Sequence, residues 1–147
     1  MLRAIALSVF LALSLAVVAN ALALRPAQAQ EVLSPNPDIE AVIGGQFDAF
    51  RAEDVLEAWE FASPNIQGLF GSPERFGTMV RQGYPMVWNP GEVNFIDLQQ
   101  LGGLIVQRVE VIDQNGTLHY LGYAMVETEN GWRINGVQVL DAPTFGA

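Results

Sequence analysis

The chain has 147 residues, no cysteine, one histidine and seven basic residues, all arginine, against sixteen acids, for a formal charge of −9. Without cysteine neither a disulfide nor a lipid-linked cysteine anchor can form. The acidic balance excludes nucleic acid and anionic membrane surfaces as partners, because both reward a basic footprint.

Met1-Leu2-Arg3 is a short positive start, and from Ala4 to Leu24 no residue is charged. Ala27-Gln28-Ala29 then offers small residues at the two positions a signal peptidase reads, which predicts a signal peptide over 1–29 and a cut before Gln30. The apolar run would also suffice to span a bilayer, for which about 20 residues are needed. Pro26 and the earlier Ala21-Leu22-Ala23 triplet favour processing over an uncleaved anchor. Losing Arg3 and Arg25 leaves five arginines against sixteen acids, a formal charge of −11. The expected product is an exported protein, periplasmic or secreted, with no stable membrane anchor. Its 30–35 segment reads as a tether and 36–143 as a single domain.

Asn36-Pro37-Asp38 is a helix start: an N-cap, proline at the first helical position and an acid in the first turn. Ile39, Val42, Ile43, Phe47 and Phe50 follow at helical spacing, with Gly44-Gly45 weakening the middle. A second helix opens at Glu53-Asp54 and ends at Ser63-Pro64, since a residue before proline is pushed out of the helical region. Gly68 to Gly71 reads as irregular, with Leu69 and Phe70 as plugs. Ser72-Pro73-Glu74 caps a third helix that runs to Gly83, and Tyr84-Pro85 onward reads as extended.

The period then becomes strand-like. Four strands are expected at 93–98, 104–113, 117–129 and 132–140, with Asn115-Gly116 and Asn130-Gly131 as two-residue hairpin turns and Asn135-Gly136 as a bulge. The fold class is therefore α+β: three N-terminal helices on one face of a mostly antiparallel sheet of about four strands.

Element order and Gly131-Trp132-Arg133-Ile134 resemble the cone-shaped nuclear transport factor 2-like superfamily, which implies a strongly curved sheet closed over by the helices. More narrowly, Phe61-Ala62-Ser63-Pro64, Phe70-Gly71-Ser72-Pro73-Glu74-Arg75-Phe76 and Met79-Val80-Arg81-Gln82-Gly83-Tyr84-Pro85 resemble a bacterial family, domain of unknown function 4864. That resemblance covers about residues 38–141 and implies a fold without an assigned activity. The superfamily holds isomerases, dehydratases and cyclases beside domains that only bind or associate, so the fold does not choose the function.

The two turns set a register in which Ile112 lies opposite His119, Arg108 opposite Tyr123 and Glu127 opposite Ile134. Arg108, Glu110 and Tyr123 then share the face of Trp132 and Ile134 and form a polar floor for a small apolar or acidic ligand, unless a bulge in these long strands flips the parity and leaves both charges in solvent. The opposite face, with Val109, Tyr120 and Val126, is apolar enough to predict a homodimer. No metal, cofactor or catalytic residue is assigned. His119 stands alone, near a hairpin end, and Asp113 reads as a turn cap. The leading expectation is a non-catalytic ligand-binding or association module. The alternatives are a cofactor-free isomerase or dehydratase with Glu110 as its acid, and a structural partner of an envelope protein.

Overall fold

A computed structural model describes residues 30–143. The expected signal peptide, residues 1–29, lies outside them.

Side-chain caps and prolines start the helices as the sequence suggests. Asn36 accepts from the Asp38 and Ile39 amides and opens α1, Pro37–Arg51. Asp54 accepts from the Glu57 amide at the head of α2, Val55–Glu60. Ser72 accepts from the Arg75 amide and opens α4, Pro73–Gly83. Two further helices replace segments read as irregular or extended. Ser63 ends α2's connection and also caps α3, Pro64–Phe70, by accepting from the Ile66 amide. Proline excludes its predecessor from the helix but suits the first helical position itself, so one Ser-Pro pair serves both ends. Pro85 likewise begins a single turn, α5, Pro85–Trp88.

Five strands form one open antiparallel sheet in sequential order: β1 Glu31–Leu33, β2 Pro90–Leu101, β3 Leu104–Asp113, β4 Leu118–Thr128 and β5 Gly131–Leu140. The fifth is β1, which lies in the stretch expected to be a tether and pairs with Leu98 to Gln100 of β2. The chain is thus α+β with five helices and five strands among the described residues, in place of the expected three and four.

The register differs from expectation at the β3–β4 hairpin. Its loop holds three residues, Gln114, Asn115 and Gly116, closed by Asp113 and Thr117, whose Oδ1 and backbone groups bond across the turn. Gly116 adopts φ +79, the left-handed residue that such a three-residue loop demands. Val111 therefore faces His119, and Arg108 faces Gly122. A shift of one residue sends every side chain of β3 to the opposite face relative to β4. At the β4–β5 hairpin the loop is Glu129-Asn130, so Glu127 pairs with Trp132, not Ile134. That shift is of two residues and leaves the faces unchanged. The expected bulge at Asn135 is present, between the Ala124–Gly136 and Met125–Ile134 pairs.

The core lies between the helices and one sheet face. Ile39, Ile43, Phe47 and Phe50 of α1 are buried, as are Val109, Val111, Leu121, Tyr123, Met125 and Ile134 of the sheet. Phe47 meets Tyr123 with ring centroids 5.9 Å apart, and Phe76 gathers Phe50, Trp59 and Phe70 at 5.6–5.9 Å. Gly45 is used for closeness: a Cβ there would meet the Phe61 ring at 2.6 Å. The segment Phe61–Ser63 lies along the free edge of β5. Ile134 donates to the Phe61 carbonyl at 2.9 Å, and Ser63 donates to the Ile134 carbonyl at 2.8 Å. The bulge then presents Asn135 Oδ1 to Ser63 Oγ, which donates to it at 2.8 Å. Among the described residues no helix is long and apolar enough to cross a membrane.

Candidate functional site

The corrected register separates the three residues expected to form one polar cluster. Arg108 and Glu110 sit on the open face of the sheet, away from the helices, while Tyr123 is 1% exposed in the core. Arg108 takes a carboxylate partner, but from β2: its Nε donates to Asp97 Oδ1 at 2.7 Å and its Nη2 to Oδ2 at 2.6 Å. This two-pronged bond is the main reason the Asp97 carboxyl is held below the usual carboxylate range. The bulge at Ile96 is what brings Asp97 opposite Arg108. Glu110 accepts from Asn94 at 3.2 Å. The expected dimer face is corrected in the same way: Tyr120 and Val126 lie on the open face, but Val109 is fully buried under the helices.

His119 and Asp113 close the β3–β4 turn. His119 Nε2 lies 2.8 Å from Asp113 Oδ2, and Asp113 Oδ1 accepts from the Asn115 and Thr117 amides. These contacts, the His119 bond first, hold the Asp113 carboxyl below its ordinary range. They make the pair a turn clasp. Among the described residues no cluster of three His, Asp or Glu side chains is arranged to hold a metal ion.

A chamber of about 210 Å³ lies elsewhere, between the helical layer and β5. Its walls come from α1, α3, α4, α5 and β5, with Phe50, Phe70, Phe76, Met79, Tyr84 and Ile134 among its larger members. The Asn135 bulge is part of its construction. In an unbroken strand residues three apart face opposite ways, whereas the extra residue lets Ile134 and Val137 both face the helices, opposite Met125 and Tyr123. Tyr84 Oη donates to the Val137 carbonyl at 3.2 Å and fixes that wall.

The α3 helix covers one side. Ile66, Leu69 and Phe70 line the chamber, yet α3 has no buried residue, and Leu69 is 74% exposed. Leu69 therefore stands at the mouth, and neither it nor the half-buried Phe70 is the enclosed plug expected. Gln46 is the one polar side chain of the lining besides Tyr84. It is 4% exposed, and its Nε2 donates to the Ala58 carbonyl at 3.1 Å. No Asp, Glu, His, Arg or Ser is among the lining residues.

Sequence reasoning reached several of these walls, Phe50 in a helical stripe, Leu69 and Phe70 as plugs and Ile134 on a sheet face, without bringing them together. Gln46 was not singled out, although a glutamine one residue before Phe47, inside an apolar helical stripe, was the available signal.

Helices on one face of an open antiparallel sheet, enclosing an apolar chamber against its last strand, define an α+β protein with an internal pocket. The chain belongs to the family described as Domain of unknown function (DUF4864), whose model matches residues 33–147. No curated protein and no solved structure matches it.

Proposed function

We propose that this protein is an exported, non-catalytic module that binds a small, mostly apolar molecule in the chamber between its helices and β5. The observation that carries this reading is the chamber: about 210 Å³ of space walled by aromatic and aliphatic side chains, with an exposed leucine at its mouth. A dry apolar cavity of about 150 Å³ is enough to take up benzene, so this one has room for a substituted single ring or a short chain. Catalysis by a raised-pKa carboxylate has no support from the lining, which lacks any carboxylate or imidazole, and Glu110 lies across the sheet from it. An acidic ligand loses its expected partner, because Arg108 is engaged by Asp97 on the other face. Helices preceding a sheet and enclosing a pocket against it fit a nuclear transport factor 2-like fold, which we carry as part of this proposal. Export rests on the leader-like residues 1–29, and a cut before Gln30 would leave all of β1 in place.

Ile66→Trp tests the pocket, since Ile66 lines it from α3, a helix with no buried residue of its own. Native mass spectrometry of protein exported by its own host should show a bound small molecule in the wild type. The molecule should be missing from an Ile66→Trp protein of unchanged circular dichroism. Equal recovery from both would remove the chamber from the reading.

The open face favours a second role, association of two copies. It carries Val106, Ile112, Tyr120, Ala124 and Val126, and no helix among the described residues covers it. Its Arg108 is already paired within the chain, so a symmetric contact would bury that cation together with its carboxylate. Val106→Arg with Val126→Arg should give a folded monomer by light scattering. A wild type that is monomeric at high concentration would end this reading.

A further inference from the structure

Gln46 narrows the chemistry of the ligand. A carbonyl oxygen can only accept, so the end of the Gln46 amide on Ala58 is its nitrogen, and Oε1 is the end left over. No donor among the described residues reaches Oε1, an atom still open to solvent contact, although Gln46 is only 4% exposed and lines the chamber. The other polar group of the wall, the Tyr84 hydroxyl, spends its proton on Val137. The groups left free among the lining side chains are therefore the acceptors Gln46 Oε1 and Tyr84 Oη, with the second Nε2 proton of Gln46 as the one remaining donor.

Water reaching the chamber can satisfy that acceptor, but a ligand that displaces the water without supplying a donor leaves it unmet at a cost. A bare hydrocarbon leaves that cost standing. A carboxylate brings a negative charge to an acceptor with no cation lining the site, and an ammonium ion finds no anion. A molecule with one neutral O–H or N–H at the edge of an apolar body meets every condition.

We infer that the chamber selects a neutral molecule of about the bulk of a substituted single ring, an alcohol or phenol in type, whose one donor seats on Gln46 Oε1. This rests on the chamber being the binding site, as proposed above, and the test separates the two ideas.

The probes are 4-ethylphenol, 4-ethylanisole and 4-ethylbenzoate, which share a body and differ in one group, titrated calorimetrically into the full exported protein. The phenol is expected to bind about tenfold more tightly than the ether, the size of effect one net hydrogen bond produces, and the benzoate to bind weakest. In Gln46→Leu the phenol should lose its advantage while the ether holds its affinity. If Gln46→Leu does not fold, the order of the three probes on the wild type decides alone. Equal binding of phenol and ether, with both blocked by Ile66→Trp, would overturn the role of Gln46 and leave the pocket standing. Tightest binding of the benzoate would overturn the neutral ligand. Failure of all three to bind would overturn both ideas together.

Discussion

Tyr123 is enclosed between α1 and the sheet, and its hydroxyl has no hydrogen-bond partner. Burial, with Tyr84 nearby, pushes its ionisation well above that of a free phenol. An orphaned hydroxyl in the core costs free energy, and removing it while keeping the ring leaves no large cavity. Tyr123→Phe is therefore expected to raise stability by about 1 kcal/mol in urea unfolding; a loss of similar size would mean that the hydroxyl is satisfied. The sequence placed this tyrosine beside Arg108 because Asn115-Gly116 looks like a complete two-residue turn. Nothing in the local residues shows that Gln114 joins the loop. What decides it is the Asp113 carboxylate, which gathers the Asn115 and Thr117 amides and the His119 ring at once. Asp97 went unrecognised for a related reason. A bulge at Ile96 moves it opposite Arg108, and a bulge within an apolar-polar run leaves little trace in the pattern.

At the scale of elements, boundaries marked by caps and prolines were partly legible, and one expected helix ends at Gly83 as read. Asn36-Pro37 and Ser72-Pro73 each begin a helix as expected, because cap and proline act within a few residues of themselves. Ser63-Pro64 carries the same signal, but its reading as a stop hid its second meaning as a start. Helical glycines separate in a way only packing explains. Gly45 lies against Phe61, where a Cβ would come within 2.6 Å of the ring, whereas Gly68 in α3 has open space around it. Gly68→Ala should stabilise the protein by roughly 0.5–1 kcal/mol through the helix preference of alanine. Gly45→Ala should destabilise it by about 1–3 kcal/mol through overpacking. Thermal unfolding of the two variants checks the pair, and shifts of the same sign would contradict the close approach of α1 to Phe61.

For the whole molecule, the α+β class was readable because the hydrophobic period changes once, from helical before Trp88 to alternating after Pro90. The chamber was not readable. Its walls are drawn from residues 46 to 137, and it exists only as the space those elements fail to fill when packed. The tie that closes it, Ser63 to Asn135, spans 72 positions of chain. Each strand from β2 to β5 pairs with the strand before it, so the sheet can zip from local contacts. The helical layer, by contrast, reaches the edge of the sheet through β5, the last element along the chain. During synthesis the helices emerge first, and the wall they share with β5 is completed only when that strand is made. A growing chain thus holds no chamber until Ile134 and Val137 have been made. On the proposed reading, loading with a small molecule would mark completion, an event that separates finished protein from every shorter fragment of it.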